Sequence, residues 1–316
     1  MVSTVRGREM DFALLAALVA ARACGDRPYL YIKGLSSSIH GLRHERVSAD
    51  ADVLVNPASE QGVVIALQQV GWMPRTSSRA GHELVTHSTS FVHPQWPVDI
   101  DLHREFPGLL AQPEDVFKAL FDRRIHIEVA GNRLTIPDRA GATLIQVAHS
   151  LRTLSQNPRH REEYLYLIDF VVPSLSRAQR ADVVSLAAQI GALDTLRPFL
   201  EKLGVPLPDP TPPGVNPALD EWRARVAADG VVGAQALIAA RRLAWYKRPA
   251  AMWPIIWPSE RDFRIDHPEV APGRGSLLRA RFARFGRGIR QVPAILRGRR
   301  QARRGITETS MLDGDT

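Results

Sequence analysis

Apolar residues recur near helical spacing at Phe12, Leu15, Val19 and Ala23, which predicts an amphipathic helix over 9–24 that packs on a core. Asp26-Arg27-Pro28 breaks it and introduces an apolar strand, Tyr29–Ile32. A second strand runs through Arg46–Val55, where Ala51, Val53, Leu54 and Val55 supply the β-formers and Pro57 stops the run. Asn56 as N-cap and Pro57 in the first turn then open a helix. Its expected buried face is Val63, Val64, Leu67 and Val70, and Gly71 closes it. Short strands follow at His82–Thr86, Thr89–Val92 and Val98–His103, and Pro113-Glu114-Asp115 starts a helix over 113–123. Ile125–Val129 and Leu134–Ile136 flank Gly131-Asn132 as a hairpin or tight connection. Pro137-Asp138 opens a helical stretch at about 138–154, 160–172, 176–190 and 192–203.

This order predicts an α/β chain of the α+β type: a small mixed sheet with flanking helices over 1–137, then a helical region over 138–204 packed on it. Residues 205–217, rich in proline, read as a stiff linker and the best domain boundary. Beyond it lies a helical, Arg-rich region over 218–304, with helices expected near 217–228 and 231–246. The Trp-Pro segment around Trp253 and Trp257 has no assignable period, and 305–316 are expected to be disordered.

Composition narrows the class. With 316 residues and 45% hydrophobic content, the chain can bury one large core or two modest ones. A single cysteine, Cys24, excludes an internal disulfide and suits a reducing cytoplasm. No stretch resembles a signal peptide, and none reaches the roughly 20 apolar residues of a membrane span. The expected location is the cytoplasm, peripheral to the membrane if the tail engages it. The net charge of +8 is more than accounted for by residues 270–304, which hold eleven arginines and no Asp or Glu. Leu277, Leu278, Phe282, Phe285, Ile289, Val292, Ile295 and Leu296 are interleaved there near helical spacing, with Pro293 kinking any helix. Such an element lies on an anionic membrane surface, binds nucleic acid or another polyanion, or packs its apolar face while solvating its arginines.

The chemistry concentrates in Asp50-Ala51-Asp52. Alternate residues of a strand share a face, so Asp50 and Asp52 project together at the mouth of an apolar strand. Unpaired, they repel each other and resist burial; a divalent cation resolves both problems. Upstream, Lys33-Gly34-Leu35-Ser36-Ser37-Ser38 makes a strand-to-helix turn whose N–H groups, hydroxyls and lysine suit a phosphate. Downstream, Asp99, Asp101 and His103 share one face of their strand, and a third carboxylate there completes a site for two metals. His103 reads either as a site residue or as a buried histidine bonded to its neighbours. His82, His87 and His93 lack the paired spacing of a zinc site.

Lys-Gly, then Arg-x-x-x-Asp-x-Asp-x-Leu-Val, then Asp-Leu-His resembles the uncharacterised bacterial nucleotidyltransferases of the DNA polymerase β superfamily. The likeness extends through Leu144-x-x-x-x-His149 and Leu167-Ile168-Asp169, so it covers about 10–200. By that resemblance Asp50, Asp52 and Asp101 are catalytic metal ligands for two Mg²⁺ ions, with Mn²⁺ as a substitute. Asp101, favoured over Asp99 by the carboxylate-Leu-His pattern, doubles as base for the attacking hydroxyl. Lys33, Gly34, Ser36, Ser37, Arg46 and His103 are the implied nucleotide-binding residues. The superfamily's Gly-Ser or Gly-Gly turn reads Gly34-Leu35 here, so Ser36 or Ser37 substitutes. His149 and Asp169 are raised as supporting or substrate-binding candidates.

The implied reaction is metal-dependent transfer of an NMP group from an NTP to a hydroxyl or amine acceptor, releasing pyrophosphate. The base is open, and so is the acceptor, whether small molecule, sugar, protein or nucleic acid end. Two other classes stand beside it: a non-catalytic adaptor working through its Arg-rich tail, and a metal-dependent phosphohydrolase. On the sequence alone Asp50→Asn and Asp52→Asn are equivalent, and both variants are expected to fold unchanged.

Overall fold

The computed structural model describes residues 12–76, 87–154, 157–227, 244–267, 269–271 and 273–286. The expected strand at His82–Thr86, most of the helix at 231–246, residues 287–304 of the Arg-rich run and the 305–316 tail lie outside them. The described residues fall into two compact units. The first comprises 12–75, 87–151 and 157–210; the second takes the residues from 211 onward, with 76 and 152–154.

The first unit is a mixed α/β structure followed by helices. Its elements begin with α1 (Phe12–Cys24), β1 (Tyr29–Ile32), α2 (Gly34–Ile39), β2 (Asp50–Val55), a 3-10 turn (Pro57–Ser59), α3 (Glu60–Gln69) and β3 (Met73–Pro74). β4 (Ser88–Val92), β5 (Asp99–His103), α4 (Pro113–Asp122), β6 (Ile125–Val129) and β7 (Asn132–Ile136) follow. The helices are α5 (Arg139–Leu151), α6 (Pro158–Tyr166), a π-helical turn (Leu167–Val171), α7 (Val172–Ser174), α8 (Arg177–Gln189) and α9 (Arg197–Lys202).

Five strands pair in the order β1-β2-β5-β4-β3, with β2 and β5 parallel and the other pairs antiparallel. Strand parity divides this sheet into two chemistries. Ala51, Val53 and Val55 of β2 and Ile100 and Leu102 of β5 belong to one core with Ala16, Ala17 and Ala20 of α1 and Val63 and Leu67 of α3. The alternate residues of the same strands, Asp50, Asp52, Asp99, Asp101 and His103, point to the other face. Every apolar contact that fixes the register of β2 and β5 therefore also fixes the position of an acid.

Two helix faces differ from the periodicity. The buried residues of α1 are Ala13, Ala16, Ala17, Leu18, Ala20 and Cys24, while Phe12 is exposed. An alanine stripe lets the helix axis approach the sheet closely, and the larger residues are carried to its margins. In α3, Val63 and Leu67 are buried but Val70 is exposed as the C-cap. There Gly71 (φ +89) closes the helix, with Gly71 N–H bonding Gln68 O and Trp72 N–H bonding Leu67 O. The helix at Asn56-Pro57 begins as 3-10, with the Asn56 side chain accepting from Ala58 N–H. Edge strand β3 has no counterpart among the expected elements; its two residues, one of them proline, are too short to leave a period. The expected hairpin is a separate two-stranded sheet, β6-β7, whose turn residues Ala130 and Gly131 both have positive φ, the conformation a two-residue turn demands.

In the second unit, α10 (Pro217–Ala227) is capped by Asn216, and Leu219 and Trp222 are its buried residues. A 3-10 turn (Trp245–Lys247), α11 (Arg248–Ile256), α12 (Glu260–Asp266) and a helix over 274–286, here α13, follow. The Trp-Pro segment without a legible period is therefore largely helical. No helix among the described residues is long and apolar enough to cross a membrane.

Candidate active site

The site is built on the polar face of β2 and β5. Parallel pairing sets Asp50 beside Asp99 and Asp52 beside Asp101. Antiparallel pairing with β4 sets Ser90 beside Asp101, and its hydroxyl donates to Asp101 Oδ1 at 2.5 Å. Ligand atoms of Asp52, Asp101 and His103 all lie within 4.8 Å of one another.

Asp52 is the centre of this group. It is almost wholly buried, and its Oδ1 receives both the Lys33 ammonium at 2.5 Å and His103 Nε2 at 2.8 Å. Burial alone would raise its pKa, but the Lys33 charge and the His103 hydrogen bond outweigh burial and hold the carboxyl below the usual range. Asp50, half-buried at the strand mouth, goes the other way. Burial is the first cause of its raised pKa, the Asp52 and Asp101 charges add to it, and Lys33 only partly opposes them. One acid is thus fixed as an anion, and its neighbour is under electrostatic pressure to lose its charge.

Lys33 reaches Asp52 from a backbone conformation that side chains rarely adopt, φ 56° and ψ −149°. Such a residue carries about 1–3 kcal/mol of strain and persists only where its surroundings impose it. Gly34 follows at φ +43°, and a Cβ there would lie 2.5 Å from Tyr31 Oη and 3.1 Å from Ser48 Oγ. The Lys-Gly pair is required by this turn: glycine for space, lysine for the ion pair at its end.

Other predicted residues are placed differently. Asp99 pairs with Arg75 at the exposed edge, so Asp101 is the acid that joins Asp52. Asp50, expected as a metal ligand, lies outside the close Asp52–Asp101–His103 group, and His103 takes the third position. Ser36 and Ser37 are fully buried rather than open to a phosphate. Ser37 donates to Gln146 Oε1 at 2.8 Å, and Ser36 Oγ has no hydrogen-bond partner. Leu35 packs against the core, which turns the serines inward. Arg46, expected to meet a phosphate or a carboxylate, is paired with Glu163 of α6.

Glu163 and Gln146 are the residues sequence reasoning missed. Glu163 is buried, receives Arg46 and Arg159 on Oε1, and accepts from Gln146 Nε2 on Oε2 at 3.0 Å. The chain Ser37–Gln146–Glu163–Arg46 ties the lysine turn and the approach to β2 onto α5 and α6. The i,i+4 spacing of Arg159 and Glu163 was the one local signal; the partner that buries the acid is Arg46, over a hundred positions earlier. His149 packs its ring on His160 at 4.5 Å and is not among the ligand atoms gathered with Asp52. Asp169 is exposed in the π-helical turn and lines a separate cleft of about 330 Å³ with His44, Tyr166 and Phe170.

No protein-family model matches this chain, and comparison with curated proteins finds no match.

The donor set could hold a divalent cation: two carboxylates, which suit Mg²⁺ or Mn²⁺, are gathered with an imidazole, which suits softer ions, with a third carboxylate at the mouth and one lysine to balance them. His103 Nδ1, buried and without a hydrogen-bond partner, and the raised pKa of Asp50 both mark a site with capacity left for positive charge.

Proposed function

We propose that this chain is a metal-dependent nucleotidyltransferase that moves an NMP group from an NTP to a hydroxyl or amine acceptor. The observation that carries the reading is the register of β2 on β5, which sets Asp52 abreast of Asp101 with Lys33 bound to Asp52 from a strained turn. A Mg²⁺ or Mn²⁺ pair, when bound by Asp52, Asp101 and Asp50 or His103, supplies charge neutralisation at the α-phosphate and the leaving diphosphate. The protein groups divide the remaining work. Asp101, partly open and oriented by Ser90, accepts the proton of the attacking hydroxyl as its oxygen bonds the α-phosphorus and the bond to pyrophosphate breaks. Asp52 is ionised as substrate arrives, because Lys33 and His103 keep its proton affinity low, and the bound metal charge would hold it so once Lys33 turns to the phosphates. Lys33 is the cation nearest the site, and its ammonium meets the phosphate oxygens as they enter.

The test is incubation of the purified chain with each α-labelled NTP, Mg²⁺ or Mn²⁺ and a panel of acceptors, following label transfer and pyrophosphate. Transfer that depends on metal and is lost in Asp101→Asn supports the reading. Release of nucleotide and phosphate without a labelled acceptor replaces it with phosphohydrolysis. Failure of every NTP to bind with either metal removes it.

A further inference from the structure

We propose that residues 244–286 form a docking surface for anionic lipid bilayers. The observations come from the second unit alone. Ala244 to Ala250 are exposed throughout, including Trp245 at 78% and Tyr246 at 63%, and α11 adds Trp253 at 62% and Ile256 at 42%. Singly exposed apolar residues are ordinary on a protein surface, but large aromatics exposed as a group mark an interaction site. Trp and Tyr, each with an apolar body and a polar tip, are the residues that settle at the headgroup level of a membrane.

Helix α13 repeats the pattern with regular spacing. Leu278, Phe282 and Phe285 stand at i, i+4 and i+7, so they form one stripe, and all three are exposed. Arg274, Arg279, Arg281 and Arg284 flank it on the same helix. The apolar face that the helix does bury is represented by Leu277. The stripe is therefore not spent on the core of its own unit.

The two elements are joined. Arg281 Nη2 donates to Pro258 O at 2.6 Å, its guanidinium lies 5.4 Å from the Trp257 ring, and Phe282 packs edge-on to Trp257 at 5.6 Å. These contacts hold α13 against the chain that directly follows Trp253 and Ile256.

Charge identifies the occupant. Between 244 and 304 the chain carries fifteen Lys and Arg against four Asp and Glu, an excess suited to a polyanion. Nucleic acid would use the arginines and could stack on the aromatics, but it has no use for a Leu278–Phe282–Phe285 stripe or an exposed Ile256. An anionic bilayer uses both, with arginines at the headgroups and aliphatic and aromatic side chains in the acyl boundary.

The test is co-sedimentation of the full chain with phosphatidylcholine vesicles and with vesicles containing phosphatidylglycerol, at about 0.1 M and about 1 M salt. Expected are at least tenfold tighter binding to the anionic vesicles, loss of most of that preference at high salt, and a blue shift of tryptophan emission. Phe285→Asp and the pair Trp245→Ala, Trp253→Ala should each weaken anionic-vesicle binding at least tenfold with unchanged circular dichroism; all three positions are exposed, and none is among the contacts that hold α13 to Trp257 and Pro258. Equal binding to neutral and anionic vesicles overturns the proposal. So does anionic binding that both aromatic variants retain, which would assign the surface to polyanions in general. An oligonucleotide bound more tightly than the anionic vesicles, with loss on the aromatic substitutions, assigns it to nucleic acid. A dimer dispersed by Phe285→Asp without vesicle binding assigns it to self-association.

Discussion

Asp50→Asn and Asp52→Asn, alike in the sequence, should have opposite effects on stability in metal-free buffer. Asp52 accepts two strong contacts on one buried oxygen, from Lys33 and His103. Asparagine keeps an acceptor there but loses the charge. A hydrogen bond to a charged group contributes about 1.5–3 kcal/mol against about 0.5–1.5 for a neutral one. Two such losses come to about 2–3 kcal/mol, within the limit of about 3–5 kcal/mol for breaking a buried pair outright. Relief of the repulsion with Asp50 and Asp101 returns a fraction of that. At about 2–4 °C per kcal/mol for a domain of about 150–250 residues, the Tm should fall by about 4–10 °C. Asp50 carries no such contact among the described residues, and its charge is opposed by burial and by Asp52, so Asp50→Asn should leave the Tm unchanged or raise it by about 1–3 °C. Differential scanning fluorimetry with a chelator separates the two. A saturating divalent ion should then stabilise the wild type, by about 2.7 kcal/mol at a hundred times Kd, and should do much less for either variant. Equal destabilisation by both substitutions in chelator would refute the division of labour argued for these acids. Unchanged stability of Asp52→Asn would refute the buried ion pair.

Four further outcomes follow from the same geometry. Gly34→Ala should cost about 2–4 kcal/mol in urea denaturation, because φ +43° disfavours a side chain and the Cβ meets the buried Tyr31 hydroxyl. Glu163→Ala should lower the urea midpoint by the equivalent of about 2–3 kcal/mol at unchanged slope, since it strands Arg46 and the Gln146 amide; partial exposure of Arg46 keeps the loss below the fully buried range. The Cys24 thiol, pushed up to about 12 by burial, should resist iodoacetamide in the native protein and react fully in denaturant, read by intact mass. His40 donates to Pro137 O from a half-buried position whose partial loss of water lowers its pKa, so the unfolded chain binds the proton more readily. Stability should therefore fall as pH drops below 6.5, by up to about 1.4 kcal/mol per unit from this group, and His40→Gln should flatten that slope.

What was legible in the sequence, and what was not, divides along a physical line. Strand parity is local, so Asp50 and Asp52 on one face, Asp101 and His103 on another strand's face, and the apolar core behind them could all be read from spacing. The choice of Asp101 over Asp99 could be read only through resemblance; its physical cause is Ser90 across β4 and the capture of Asp99 by Arg75, both set by pairing register. Electrostatic partnership is non-local. Arg46 was legible as a cation beside the site but its partner Glu163 was not, and Ser37 was legible as a hydroxyl but its partner Gln146 was not. In both cases a group that looked available for phosphate is satisfied from the helical region, because Leu35 faces the core and turns the serines toward α5. The consequence for the proposed reaction is specific. With Arg46 engaged and the serines buried, Lys33 is the cation of the predicted set left at the acidic face, and it is bound to Asp52. On the proposed reading, triphosphate and metal would enter together, since Lys33 could leave Asp52 for the phosphates only where another positive charge takes its place. Binding of an NTP without divalent metal, with affinity comparable to that in its presence, is incompatible with this exchange.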